Sequence, residues 1–281
     1  MYQTYFNGVW SEGNTPIFGA MDHSVWLGSS VFDGARAIRG LVPDLDLHLE
    51  RVRQSAEKLG LACPYSVTEM SALVKQGIAR FPADAELYIR PLVFATEGLL
   101  IPDTAKSAFA LTLFDAPMPP FTGFSACLSP LLRPGPLMAP TDAKASSLYA
   151  NTTRALRDAK ARGFDNAVVV DGHGHVAEFA TSNLFLVSAA GKVITPIANG
   201  TFLAGITRAR VIKLLAAAGV PVEERSVLPS ELDEAQEIFN TGNFGKVQPC
   251  VRYQLRSLPV GPVATLARER YMAFAQDARL N

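Results

Sequence analysis

Eight lysines occur in 281 residues, and one of them stands apart. Lys144 lies in Ala143-Lys144-Ala145-Ser146-Ser147, among small side chains just ahead of a predicted helix. An amine that bonds a carbonyl cofactor needs room and a lowered pKa. Small neighbours would leave that room; a surface lysine in a loop is the plainer reading. Glu178 sits in Val176-Ala177-Glu178-Phe179-Ala180, a segment otherwise built for burial. A buried carboxylate needs a partner, and a cationic ring nitrogen would be one. On a strand the same residue could also point to solvent. Gly205-Ile206-Thr207-Arg208 opens a predicted helix. Helix N-termini attract anions and Thr207 adds a hydroxyl, although a simple threonine cap fits equally. Gly242-Asn243-Phe244-Gly245 is a second glycine-flanked turn whose N–H groups could face an anion, or an ordinary turn. Arg51 and Arg90 carry the planar fork that suits phosphate or carboxylate; a solvated helix residue and a structural ion pair are the alternatives. His173 and His175 fall at a glycine-rich turn with no cysteine or carboxylate cluster at ligand spacing, so no metal site is expected. No GxGxxG, Walker A, GxSxG or HExxH occurs.

These residues need elements to hold them. Periodicity predicts a helix over 46–59, with Leu47, Leu49, Val52, Ala56 and Leu59 near one face and Gly60 as its stop. A second fits 67–80 on Met70, Leu73, Val74 and Ile78. Further helices are expected at 147–162, directly after Lys144, and at 207–218 and 262–277. Strands are predicted at 87–94, carrying Tyr88 and Arg90, and at 108–114, 166–170, 175–187, 237–240 and 247–252. Residues 15–19 and 24–38 also read as strand, broken by glycines. Asp171-Gly172-His173-Gly174 joins two strands as a hairpin. Five prolines fall within 115–120 and 133–136. The class is α+β: a small α/β domain over 1–116, an interdomain linker at 117–131 and a large α+β domain over 132–281.

Composition narrows the partners. Hydrophobic residues make up 48% and charged residues 19%, ordinary values for a globular protein. Twenty-six basic side chains balance 26 acidic ones, so nucleic acid, which needs a basic excess or stripe, is not expected. No apolar run approaches the roughly 18 residues of a membrane helix. The first residues have neither a basic start nor an apolar core, so no secretory signal is expected. Cys63, Cys127 and Cys250 are odd in number and far apart, which predicts a reducing, cytoplasmic setting.

Taken in order, the motifs resemble those of the class IV (fold-type IV) pyridoxal-phosphate aminotransferases, and of the branched-chain enzymes most closely. The resemblance runs from Tyr5-Phe6-Asn7-Gly8 to the 237–252 region. Phe32-Asp33-Gly34-Ala35-Arg36 resembles Phe-Glu-Gly-x-Arg, and Leu87-Tyr88-Ile89-Arg90-Pro91 resembles the Tyr-Ile-Arg-Pro strand whose side chains help bind substrate carboxylates. His48-Leu49-Glu50-Arg51 resembles the segment whose arginine holds the cofactor phosphate. Lys144 followed by Tyr149 matches the Schiff-base lysine and the tyrosine at the pyridoxal 3′-oxygen. Glu178, with Asn183 and Phe185, matches the glutamate of the pyridine nitrogen. Leu203 matches a leucine on the ring face, and Gly205-Ile206-Thr207-Arg208 the phosphate-binding Gly-Ile-Thr-Arg.

The resemblance implies the two-domain α+β fold shared with D-amino acid aminotransferases, pyridoxal 5′-phosphate as cofactor, a homodimer, and ping-pong transfer of an amino group between a hydrophobic L-amino acid and 2-oxoglutarate or another 2-oxo acid. It makes Lys144 the catalytic residue. Arg51, Tyr149, Glu178, Leu203, Ile206, Thr207 and Asn243 would hold the cofactor; Phe32, Arg36, Tyr88, Arg90 and Phe244 would line the substrate side. Three departures bear on specificity: Leu27 where many branched-chain enzymes carry tyrosine, Gly242-Asn243-Phe244 in place of Gly-Thr-Ala, and Ser146-Ser147 where glycines are common. D-amino acid aminotransferase, R-selective amine transaminase and aminodeoxychorismate lyase are the rivals on the same fold. A non-catalytic phosphate-ligand binding protein is the rival from another class.

Overall fold

The computed structural model describes residues 1–277 and divides into two compact units. The first comprises 1–118 with 143–148 and 275–277; the second comprises 119–142 and 149–274.

The first unit is built on an antiparallel sheet. Its strands are β1 (Tyr2–Phe6), β2 (Val9–Glu12), β3 (Ser30–Phe32), β4 (Ala35–Ile38), β5 (Glu86–Ala95) and β6 (Ser107–Asp115), in the order β2-β1-β6-β5-β3 with β4 also on β5. Helix α1 (His23–Leu27) is short; α2 (Leu45–Lys58) and α3 (Val67–Ile78) cover one sheet face. Leu45, Leu49, Val52 and Ala56 of α2 are buried at helical spacing. Ser66 caps α3 in a reciprocal box: its hydroxyl accepts from the Glu69 amide while the Glu69 carboxylate accepts from the Ser66 amide. Strands alternate faces. Val31, Ala35, Ala37, Leu87, Ile89 and Val93 therefore pack under the helices, and the register puts Phe32, Arg36, Tyr88 and Arg90 together on the opposite face.

The second unit holds β7 (Phe124–Leu128), α4 (Tyr149–Ala161), β8 (Asn166–Val170), β9 (Val176–Phe179), β10 (Asn183–Val187), β11 (Val193–Pro196), α5 (Ile206–Ala217), β12 (Val222–Arg225), α6 (Pro229–Glu234), β13 (Glu237–Gly242), β14 (Lys246–Tyr253), β15 (Arg256–Ser257) and α7 (Pro262–Asp277). The sheet order is β12-β11-β10-β13-β14-β7-β8-β9, with β15 on β14. Because β9 passes into β10 through 180–182, a chain link of three residues, the strands between them must curl back on themselves. The class is α+β, as the sequence predicts.

Several expectations change. Residues 117–131 are not a linker. Phe124–Leu128 is an interior strand, paired in parallel with both β14 and β8, and the unit boundary falls after Met118. The prolines at 117, 119 and 120 mark that seam, and their density masked the strand beyond it. Nor is 132–281 continuous: 143–148 joins the first unit. Residues 175–187 form two strands, bent at 180–182 where Phe179 bridges to Ser182. Residues 15–19 form no strand, and His23–Leu27 is helical. Among the described residues no helix is long and apolar enough to cross a membrane.

Candidate active site

In the first unit Lys144 is fastened by its backbone. Its amide donates to Ser55 Oγ at 3.1 Å, its carbonyl accepts from the Phe32 amide at 3.2 Å, and Ala145 bridges to Val31. Ala143 and Ala145 are 2% and 0% exposed. Their small side chains let this segment press against β3; they do not open space for a ligand, as the sequence suggested. The half-buried lysine side chain sets Nζ 5.0 Å from the Phe32 ring centroid. Tyr88 reaches Gly34, where a Cβ would come within 2.0 Å of the phenol oxygen. Only glycine allows that approach. Arg90 is exposed and lies over the Phe114 ring; it has no buried ion pair to serve. Arg36 is fully buried and donates to the Ala116 carbonyl at 2.5 Å. Burial opposes its charge and nearby Glu86 supports it.

Arg51 meets a carboxylate of its own chain. Its Nε and Nη2 donate to the two oxygens of Asp33 at 2.6 and 2.8 Å, and His48 Nδ1 lies 2.7 Å from the same group. Burial alone would raise the Asp33 pKa, but Arg51 and His48 outweigh it and hold the carboxyl well below the usual range. His48, Arg51 and Ser55 recur at helical spacing, so α2 reaches both Asp33 and the Lys144 backbone.

In the second unit Glu178 does not point to solvent. All four residues of β9 are buried, and Glu178 accepts from Asn183 Nδ2 at 3.1 Å and pairs with Arg133 Nη2 at 3.1 Å. Asn183 also donates to the Leu203 carbonyl, tying the half-buried Leu203 loop to the glutamate. A Cβ on Gly205 would fall 1.9 Å from Asn183 Oδ1, so α5 begins against that asparagine. Gly205 supplies no side-chain cap, which leaves the first N–H groups of α5, at Ile206 and Thr207, for an outside acceptor. Thr207 is buried. Arg208 instead ties α5 to the sheet edge, donating to Thr195 Oγ1, the Pro196 carbonyl and Glu224.

Beside this lie Ser182 Oγ, Thr241 Oγ1 and Asn243 Nδ2, all buried without a hydrogen-bond partner among the described residues. Thr241 pairs in register with Asn183, and Ser182 stands against Gly242. Unsatisfied buried donors are costly; an oxyanion with several acceptor oxygens would satisfy them. The donor set therefore fits a phosphate ester. Tyr149 opens α4 and is 37% exposed. Leu27 ends α1, and Phe244 is exposed at a hairpin tip.

The family model for amino-transferase class IV matches residues 30–253, a span that includes every element described above except β1, β2, α1, β15 and α7. The chain belongs to the class IV aminotransferases. A probable branched-chain-amino-acid aminotransferase from Rickettsia bellii is 33% identical over 251 residues, 88% of this chain and 86% of that one. Among solved structures, an aminotransferase from Brucella abortus bound to the cofactor PLP is 46% identical with a TM-score of 0.96, covering 98% of this chain and 99% of that one. A branched-chain aminotransferase from Thermoproteus uzoniensis, solved with norvaline, is 28% identical with a TM-score of 0.89, covering 98% and 95%.

Within this class IV aminotransferase each unit gathers its own share of the predicted residues. Lys144, Phe32, Arg36, Arg51, Tyr88 and Arg90 belong to the first; Tyr149, Glu178, Leu203, Ile206, Thr207, Asn243 and Phe244 belong to the second. Sequence reasoning missed Arg133, which pairs with Glu178, and Asp33, which holds Arg51. Arg133 stood in a proline-rich stretch read as loop. Asp33 carried a usable signal: an acid in an apolar strand region must be paired.

Proposed function

We propose that the chain transfers an amino group from hydrophobic, branched-chain L-amino acids to 2-oxoglutarate or another 2-oxo acid in a ping-pong reaction. Pyridoxal phosphate, when bound, supplies an electron-withdrawing ring that takes up negative charge from the substrate α-carbon. Lys144 Nζ would take the substrate's α-proton as general base and give a proton back as general acid. Glu178, kept in place by Arg133 and Asn183, would keep the ring nitrogen protonated. Asn183 also fixes the loop from which Leu203 would pack on the ring. Thr207, the first N–H groups of α5 and Asn243 would hold the phosphate, Tyr149 would meet the 3′-oxygen, and Arg51 keeps the cofactor role that the resemblance implies. Phe32 and Tyr88 would offer an apolar wall and Arg36 and Arg90 positive charge for a carboxylate; the resemblance also implies Phe244 on the substrate side. The observation that carries this reading is the shared sheet face of Phe32, Arg36, Tyr88 and Arg90, with Lys144 Nζ over the Phe32 ring. The names of the relatives support branched-chain donors. A homodimer in the cytoplasm accords with the resemblance and with three free cysteines.

The visible spectrum tests the proposal. The yellow protein should bleach with L-leucine, and 2-oxoglutarate should restore the colour. Bleaching only with D-alanine or R-1-phenylethylamine would move the substrate to the rival readings, which Leu27 keeps open by removing a hydroxyl. A colourless protein indifferent to added pyridoxal phosphate would refute the mechanism. Glu178→Gln should lower kcat about a hundredfold or more. Glutamine keeps one acceptor oxygen, enough for Arg133 or for Asn183 but not for both, so a loss of thermal stability should accompany the loss of turnover, and kcat is compared on the folded fraction. Unchanged kcat would remove Glu178 from the mechanism.

A further inference from the structure

Lys246 has no part in the roles above. It is fully buried at the start of β14, with φ +59°. Gly242 and Lys246 face each other in register, so Asn243-Phe244-Gly245 is a three-residue hairpin loop closed by a left-handed residue. Glycine is the usual choice there. The lysine is held by its side chain: Nζ donates to Asn243 Oδ1 at 2.5 Å and lies 5.2 Å from the Tyr271 ring centroid. From the same helix, α7, Arg268 donates to the carbonyls of Gly245 and Val247. The loop is thus clamped from behind.

An ammonium group has three donors and no acceptor, whereas an asparagine amide has one end of each kind. Facing Lys246, Asn243 can present only its oxygen. The cation thereby fixes the amide orientation and turns Nδ2 away from itself. That Nδ2 is buried without an acceptor among the described residues, as are its neighbours Ser182 Oγ and Thr241 Oγ1. We infer that Lys246 is a positioning residue: it locks the Asn243 carboxamide so that Nδ2 donates to a bound oxyanion, a phosphate or a carboxylate, and it places a buried positive charge behind that contact. This rests on the aminotransferase reading, in which the two oxyanions are the cofactor phosphate and the α-carboxylate of the amino donor.

The test uses the full chain freed of cofactor, as parent, K246M, K246Q and N243D. Binding of pyridoxal phosphate and of pyridoxal, which lacks the phosphate, is followed by fluorescence quenching. If phosphate is the oxyanion, K246M and N243D weaken pyridoxal phosphate about tenfold or more and leave pyridoxal unchanged. If carboxylate is the oxyanion, both cofactor forms bind as in the parent. The L-leucine concentration that half-saturates the spectral change of the loaded protein then rises about tenfold, and that for 3-methylbutylamine, the same chain without a carboxylate, does not. Either result supports the inference and names the source. K246Q still donates to Oδ1 and should fall between parent and K246M. N243D keeps an acceptor for the buried ammonium, so it tests the point even where K246M fails to fold. Parent affinity for every ligand in folded N243D overturns the inference. A parent chain that binds no pyridoxal phosphate overturns the functional reading on which it rests.

Discussion

Replacing Lys144 by alanine should abolish transamination and leave the fold intact. The two halves of that expectation have separate physical grounds. The segment around Lys144 is anchored through its amide to Ser55, through its carbonyl to the Phe32 amide and through the Ala145–Val31 bridge. None of these uses Nζ, so truncation should shift thermal unfolding by no more than a small surface-type change. In the proposed mechanism the proton transfers depend on Nζ. Losing a positioned general acid–base costs about 10²–10⁴ in rate, and losing the covalent attachment of the cofactor adds to it. Steady-state assay with L-leucine and 2-oxoglutarate should show kcat reduced at least about a thousandfold, while circular dichroism stays that of the parent. A well-folded Lys144→Ala protein with a tenth of parental turnover would remove Lys144 from the chemistry.

What was legible in the sequence depended on how local its cause was. Helix α2 could be read because Leu49, Val52 and Ala56 repeat at helical spacing and Gly60 follows; α3 could be read from its own apolar face. Strand β5 could be read because Tyr88, Ile89, Val93 and Phe94 are strand formers in one unbroken run around Arg90. Strand β7 could not. Its Phe-Ser-Ala-Cys-Leu is short and small-sided, and its strand character comes from parallel partners on both sides, β14 and β8, far away in the chain. The same distinction runs through the site. Lys144, Glu178 and the Gly205–Arg208 turn carry local motifs. Arg133 and Lys246 do not, because their significance lies in Glu178, 45 residues downstream of Arg133, and in the Tyr271 ring contributed by α7. Lys144 itself was singled out on a mistaken ground. Its alanine neighbours are small because they are packed against β3, so the chemical reading of Lys144 rests on the family and on the placement of Nζ.

Asp33 carries the other large effect, and it acts through stability. The residue is 0% exposed and accepts from the Gly34 amide at 2.7 Å, from His48 and from two nitrogens of Arg51. Removing the carboxylate leaves the Arg51 guanidinium, itself only 16% exposed, without its bidentate partner. Breaking a buried pair in this way costs about 3–5 kcal/mol, a large fraction of the roughly 5–15 kcal/mol that holds a typical domain. Denaturant unfolding of Asp33→Asn near neutral pH should show that loss. The pH dependence follows from the direction of the shift. The folded-state pKa lies below the unfolded value near 3.8, so Asp33 contributes its full stabilisation above about pH 4. That contribution is lost as pH falls toward the lowered folded value, where both states become protonated. The part of the stability gap between parent and Asp33→Asn that comes from the carboxylate's own titration should therefore narrow progressively below pH 4. A gap that stays level through the acid range would mean that the charge on Asp33 is not what α2 depends on. The site has a stake in the outcome, because α2 carries both Arg51 and the Ser55 hydroxyl that fastens Lys144. Asp33→Asn protein that remains folded should bind pyridoxal phosphate more weakly than the parent, since Arg51 then loses the carboxylate that sets its guanidinium plane.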